Sequence, residues 1–360
     1  MTRKLNFSSG PAALPEPVLR RAQAALWDLD DTGIGILEHS HRGKPFRAVL
    51  DRTIAAIREV AGLDDDFAVL FITAGATQHF SMVPQNFLAG DDTVDICHTG
   101  VWSGKAMTEA RRYGHVHAAC SSAPAFDTTP TEFTYSAAPR YVHYTSNETI
   151  YGTQWHVPPA SPPAPLVCDA SSDLFSRPLP LADHGMIYAG AQKNLGPSGI
   201  SLVIARKSFL ATRRTGLPPL ADYMTYVDEG SMYNTPNTFG IYMIGEVVAW
   251  IRDQGGLAAM GERNARKAAL LYDCIDHSKV WRAHAQPGSR SNMNITFRGS
   301  SPAIETALIA RAEAQGLSGL AGHRDVGGMR ASIYNAFPED GVHRLVQLLH
   351  EVEREQPTAS

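Results

Sequence analysis

The segment Tyr188-Ala-Gly-Ala-Gln-Lys-Asn-Leu-Gly-Pro-Ser-Gly199 places one lysine, Lys193, among small residues and glycines. An apolar run precedes it (Met186-Ile-Tyr188) and another follows (Ile200-Ser-Leu-Val-Ile-Ala205). A lysine in such a place is poorly hydrated, and burial disfavours its ammonium and lowers its pKa. That is the state in which a lysine amine attacks an aldehyde, as in a Schiff base with pyridoxal phosphate. The plainer alternative is a lysine on a surface turn, so other residues must decide.

Asp169 closes the apolar run Pro165-Leu-Val-Cys168, 24 residues before Lys193. At the carboxyl end of a strand in an open α/β sheet, a carboxylate faces the ligand crevice. There it could keep a basic ring nitrogen protonated, or it could serve as a turn or helix-capping aspartate. Phe71-Ile-Thr-Ala-Gly-Ala-Thr77 is a strand followed by a small-residue turn that opens a helix. Helix-start amides can cradle a phosphate, although any α/β fold has such turns. Thr99-Gly-Val-Trp-Ser-Gly104 sets Trp102 at the next junction of this kind. Its ring could stack on a planar ligand or pack in the core. His39-Ser-His-Arg42 and Gly322-His-Arg-Asp-Val-Gly-Gly-Met-Arg330 are two polar groups rich in the natural partners of carboxylate and phosphate. If they are not ordinary surface charge, they suit a substrate with more than one anionic end.

The elements that must position these residues follow from the apolar spacing. Residues 16–29 and 45–61 carry helical periodicity, the latter through Phe46, Val49, Leu50, Ile54, Ile57 and Val60. Strand-like runs then alternate with helices. The strands are Phe67–Ile72, Val94–Cys97, Arg140–Tyr144, Leu166–Cys168, Met186–Tyr188 and Ser201–Ile204. The helices are 77–88 and 101–112. This alternation predicts a mostly parallel sheet covered on both faces. Pro158–Pro165 is too proline-rich for an element interior and reads as a rigid surface loop. From about 256 the character changes. A long helix at 257–275, a strand at 293–297, a helix at 302–315, a strand at 329–333 and a helix at 339–354 predict a smaller α+β domain. The expected division is 16–256 for the large domain and 257–360, with 1–15, for the small one.

Composition narrows the function classes. A chain of 360 residues with 44% hydrophobic and 19% charged content fits a globular enzyme. A net formal charge of −4, without a basic cluster, gives no reason to expect nucleic acid. No apolar run reaches membrane-spanning length, and Met1-Thr-Arg-Lys-Leu-Asn-Phe7 lacks the apolar centre of a signal peptide. A cytoplasmic protein is expected. Cys97, Cys120, Cys168 and Cys274 have neither zinc-site nor disulfide-framework spacing, so no metal is expected. His115 and His117 alternate as on one strand face and read as structural.

Four segments together resemble the phosphoserine aminotransferases, a branch of the class V aminotransferases. They are Asn6-Phe-Ser-Ser-Gly-Pro-Ala12, the Lys193 segment 188–199, Tyr233-Asn-Thr-Pro-Asn-Thr-Phe239 and Gly327-Gly-Met-Arg-Ala-Ser-Ile-Tyr-Asn335. The similarity runs nearly end to end. It implies the aspartate-aminotransferase-like type I pyridoxal-phosphate fold and a homodimer with active sites at the subunit interface. By motif, Lys193 resembles the Schiff-base lysine, Asp169 the partner of the ring nitrogen, Trp102 the stacking ring and Thr149 the phenolic-oxygen partner. Ala76, Thr77 and Gln192 match phosphate ligands, and Asn234 and Thr235 match the pair that reaches the phosphate from the neighbouring subunit. His41, Arg42, His323, Arg324 and Arg330 match the residues for the substrate's anionic groups.

The implied reaction moves an amino group between glutamate and 3-phosphohydroxypyruvate, giving 2-oxoglutarate and phosphoserine, as in serine biosynthesis. A phosphorylated four-carbon substrate of vitamin B6 synthesis, 4-phosphohydroxythreonine, is a further option. One departure stands out: many members have glycine where this chain has Ala74, which requires a backbone angle that a Cβ tolerates. Thr77 also lacks the charge that arginine supplies in some members. Competing readings are an alanine–glyoxylate or serine–pyruvate aminotransferase and a non-enzymatic binding protein. A cysteine desulfurase would need a reactive cysteine beyond residue 275, where there is none.

Overall fold

The computed structural model describes residues 3–324 and 326–356. The chain begins with β1 (Leu5–Asn6), α1 (Glu16–Trp27) and α2 (Lys44–Ala61). In α2, Phe46, Val49, Leu50, Thr53 and Ile57 are buried at three- and four-residue steps, the stripe an amphipathic helix needs. Next come β2 (Phe67–Ile72), α3 (Ala76–Phe87), β3 (Thr93–His98), α4 (Val101–Ala110), β4 (His115–Ser121) and β5 (Val142–Thr145). A small hairpin of β6 (Asn147–Glu148) and β7 (Thr153–Gln154) leads to β8 (Leu166–Asp169), β9 (His184–Gly190) and β10 (Ser201–Arg206). Four helices follow: α5 (Lys207–Leu210), α6 (Tyr223–Asp228), α7 (Thr238–Asp253) and α8 (Gly256–Asp276). The chain ends with β11 (Arg282–Ala283), β12 (Asn294–Arg298), α9 (Pro302–Ala314), β13 (Leu317–Ser318), β14 (Met329–Ser332) and α10 (Glu339–Arg354).

Seven strands form the central sheet in the order β2-β10-β9-β8-β5-β3-β4. β10 runs antiparallel to both neighbours, and the other pairings are parallel. The mostly parallel sheet expected from the alternating runs is therefore present. Every residue of β2, β5, β8 and β9 is buried, as a sheet covered on both faces requires. The two-residue period of a strand divides these residues between two cores. Phe67, Val69 and Phe71 join one with Leu202 and Ile204, where α2 and α7 also pack. Leu70, Ile72 and Val203 join the other, with Phe80, Val83, Tyr188 and Tyr223.

A third core gathers Phe7, Leu271, Trp281, Ile295, Phe297, Leu308, Leu345 and Leu349 around the sheet β11-β12-β14. β1 pairs with β13, bringing the first residues beside this core. Helix α8 begins in the first core with Leu257 and Met260 and ends in the third with Leu271 and Ile275.

Observed helix ends differ from the expected ones by a few residues, as at α1 and α4. The larger difference is α7, which apolar spacing did not reveal. Its buried residues include 240–244, 247, 248, 250 and 251. A helix covered on most sides has no clear polar face and hence no 3.6-residue stripe. His117 lies on β4 and shares a hydrogen bond of 2.7 Å with the Thr134 carbonyl, a structural role. Residues 158–165 form a loop. Among the described residues, no helix is long and apolar enough to cross a membrane.

Candidate active site

The strand order brings five chain segments to one edge of the central sheet. β2, β3, β5, β8 and β9 all point the same way, so their carboxyl ends meet there. Beyond β2 lies the start of α3, beyond β3 the start of α4 with Trp102, and beyond β5 the turn bearing Thr149. Asp169 is the last residue of β8, and Lys193 follows β9. Lys193 sits in the loop where the chain reverses into β10. That loop is closed by Ala191 N–H to the Ile200 carbonyl (3.0 Å) and by Gly196 N–H to the Ala191 carbonyl (2.8 Å).

Lys193 is half-buried, and its Nζ donates to Thr149 Oγ1 at 2.6 Å. The same nitrogen lies 5.2 Å from the centroid of the Trp102 ring. Loss of water lowers the pKa of Lys193, while the negative charges of Asp169 and Glu148 act to raise it. Asp169 is buried, and Oδ1 accepts the Ser171 N–H at 3.0 Å and the Ser171 hydroxyl at 2.6 Å. Burial raises the pKa of Asp169, while Lys193 and then Ser171 act to lower it. The Ser171 hydroxyl also accepts the Gly190 N–H at 3.1 Å, fixing the end of β9 to the turn after β8.

Helix α3 carries no capping side chain at its N-terminus. A Cβ at Gly190 would lie 3.2 Å from the Ala76 amide nitrogen and 2.7 Å from Gln192 Oε1, so the glycine keeps this corner open. Gln192 Oε1 and Trp102 Nε1 are buried without hydrogen-bond partners. Uncapped helix amides, a desolvated lysine and a buried carboxylate fit pyridoxal phosphate: an anionic tail, an aldehyde and a basic ring nitrogen. Ala74 is not among the described non-glycine residues with positive φ, so its Cβ is accommodated.

Arg330, on β14, donates from one guanidinium nitrogen to Ser9 Oγ at 2.7 Å, and its Nε is buried without a partner. Burial lowers its pKa, and its charge acts to lower that of Lys193. The N-terminal segment meets the lysine loop through Ala12 N–H to the Gln192 carbonyl at 2.9 Å. Thus 9–12, 149, 169, 192–193 and 330 come together within one chain.

The other expected residues lie on loops. His41 and Arg42 precede α2; His41 is half-buried with Nε2 unpartnered, and Arg42 is exposed. His323 and Arg324 occupy the loop before β14, where the His323 carbonyl accepts the N–H groups of Val326 (3.0 Å) and Gly327 (2.7 Å). Asn234 and Thr235 are exposed between α6 and α7. The sequence reading overlooked Ser9, Ser171 and Glu148. Each stands inside or beside a segment it did single out, but a serine or glutamate in a motif carries no mark of its distant partner.

A family model for class-V aminotransferases matches residues 4–345. The phosphoserine aminotransferase of Herpetosiphon aurantiacus is 46% identical over 348 residues, covering 96% of this chain and 97% of that one. Among solved structures, the phosphoserine aminotransferase from Bacillus circulans subsp. alkalophilus has a TM-score of 0.96 and 45% identity, covering 99% of both chains. The pyridoxal-phosphate-bound phosphoserine aminotransferase from Trichomonas vaginalis has a TM-score of 0.92 and 36% identity, covering 97% of this chain and 100% of that one.

Proposed function

Because the chain belongs to the class-V aminotransferases and is a pyridoxal-phosphate-dependent transferase with the type I fold, we propose that it interconverts phosphoserine and 2-oxoglutarate with 3-phosphohydroxypyruvate and glutamate. The observation that carries this is the meeting of Lys193, Thr149, Trp102 and Asp169 at the sheet edge, beside Arg330. The near full-length relatives called phosphoserine aminotransferases support the choice of substrate. The proposed setting is serine biosynthesis in the cytoplasm.

Pyridoxal phosphate, when bound, supplies an aldehyde for Lys193 and a ring that takes up negative charge developing at the substrate Cα. We assign Lys193 the roles of covalent anchor and carrier of the Cα proton, for which a lysine with lowered pKa is suited. Asp169 holds a proton on the ring nitrogen; Ser171 occupies one of its oxygens and fixes its orientation. Trp102, whose ring lies 5.2 Å from Lys193 Nζ, would stack on the cofactor ring, and the Thr149 hydroxyl that holds the Lys193 amine would serve the phenolic oxygen. Ala76 and Thr77 at the uncapped start of α3, with Gln192, hold the phosphate.

Arg330 takes a substrate carboxylate or phosphate as a charge-assisted partner. His41, Arg42, His323 and Arg324 complete the anion clamp. Asn234 and Thr235 reach the phosphate from the second chain of a homodimer, a reading supported by their exposure in the single chain. We assign residues 16–256 to the large cofactor-binding domain and the described residues of 257–356, with 3–15, to the small one that presents Arg330; the expected ends at 1–2 and 357–360 lie outside the described residues.

Assays with phosphoserine, 4-phosphohydroxythreonine and alanine as amino donors to 2-oxoglutarate test the substrate. Turnover of phosphoserine with little from alanine is expected. A preference for alanine overturns the proposal, and the second donor decides whether the vitamin B6 substrate is included, since it too has phosphate and carboxylate ends. Sedimentation should find the active species to be a dimer; full activity in a monomer removes the shared site.

A further inference from the structure

We propose that Glu148 is a positioning residue of the active site, tying the first turn of α4 and its Trp102 ring to the segment that holds Lys193. The inference rests on the assignment of Lys193 as the cofactor lysine. Glu148 lies on β6, immediately before Thr149, whose hydroxyl accepts the Lys193 amine. It is only 1% exposed. Its Oε1 accepts the Ser103 N–H at 3.2 Å and lies 3.4 Å from the Ser103 hydroxyl, which also donates to the Gly100 carbonyl at 3.0 Å. Ser103 Oγ in turn accepts the N–H groups of Thr99 and Gly100, each at 3.0 Å. One carboxylate and one hydroxyl therefore bind the turn that carries Trp102.

The fit is close. A Cβ at Gly100 would lie 2.5 Å from the Glu148 carboxyl carbon, so a side chain at 100 and a carboxyl at 148 cannot share this space. The second carboxyl oxygen, Oε2, is buried without a partner, a costly arrangement for a purely structural glutamate. Charge explains its tolerance. The N-terminus of α4 and the Lys193 ammonium favour the anion, whereas burial and Asp169 disfavour it. The balance lifts the Glu148 pKa to about 7, chiefly through burial. The groups facing it are thus Lys193 from the loop after β9, Asp169 from β8 and the first amides of α4. Loss of the positive charge on Lys193 would raise Glu148's affinity for a proton further.

Glu148→Gln, Glu148→Ala and Gly100→Ala test this in the full chain. In the cofactor-loaded enzyme, Glu148→Ala and Gly100→Ala should each lower kcat about tenfold with little change in KM, and Glu148→Gln should recover most of that loss. Equal kcat losses in the Gln and Ala variants overturn the role. Cofactor-free protein gives an independent readout. The folded wild type keeps the Glu148 proton up to about pH 7, while the unfolded chain releases it near 4.5. Wild type should therefore lose stability relative to Glu148→Gln as pH rises between these values. Parallel stability curves overturn the inference. If the assignment of Lys193 is at fault instead, the cofactor's visible absorbance band is missing from wild type, and the stability curves alone decide on Glu148.

Discussion

Lys193 and Lys267 are both withdrawn from water, and burial lowers the pKa of each. Their surroundings are otherwise opposite. Lys267, on α8 and 0% exposed, donates to the carbonyls of Ile333 (2.8 Å), Tyr334 (2.7 Å) and Phe337 (3.2 Å). Three acceptors need three N–H donors, which only the ammonium form has, so these contacts work against the effect of burial. Lys193 makes one side-chain hydrogen bond, to a hydroxyl that can also donate elsewhere. Burial alone does not make a lysine a nucleophile. What matters is whether its hydrogen-bonding capacity is already committed.

The two lysines are also mechanically linked. The turn held by Lys267 contains Asn335, whose backbone N–H donates to Asn194 Oδ1 at 3.1 Å, one residue beyond Lys193. Asn335 also accepts Asn264 Nδ2 at 2.7 Å and donates to the Phe175 carbonyl at 2.8 Å. The lysine that does no chemistry helps to seat the one assigned to do it.

Replacing each lysine separately would break this contrast most sharply. Lys193→Ala should lower turnover by at least about 10²–10⁴-fold, the range for a lost proton-transfer group, and remove the cofactor's visible band, with the thermal midpoint nearly unchanged. Lys267→Met should do the reverse, costing about 3 kcal/mol of stability or more because three buried carbonyls lose their donor, as read by denaturant unfolding. A Lys267 variant of normal stability and lost activity would reverse the roles of the two lysines.

Arg330 stands between the two: one hydrogen bond is committed to Ser9, and Nε is left without a partner. Arg330→Ala should raise KM for the phosphorylated substrate by about 10- to 100-fold, the effect of losing a charge-assisted contact of about 1.5–3 kcal/mol. An unchanged KM would place Arg330 with Lys267, as a structural cation.

Much of the fold was legible in the chain because strand runs, helix stripes and turn composition are local. The runs at 67–72, 166–168, 186–188 and 201–204 predicted the sheet, and the carboxyl ends of 166–168 and 186–188 led to Asp169 and the Lys193 loop. The apolar surroundings of α7 erased the pattern that would have revealed it. Lys267 likewise reads as an ordinary lysine in a helical stretch, since nothing near it in sequence foretells three carbonyls some 70 residues away.

The sequence by itself determined which residue types could do the chemistry: a lysine among small residues, an aspartate closing a strand and a tryptophan at a strand-to-helix junction, with Thr149 added by the family resemblance. Only the tertiary structure decided which of them meet. Thr149 reaches Lys193 across 44 residues, and Ser9 reaches Arg330 across 321. Hydrogen bonds, desolvation and charge coupling act through distances of a few ångströms, and those distances exist only after the parallel strands align their ends and the third core brings β14 beside the N-terminal segment.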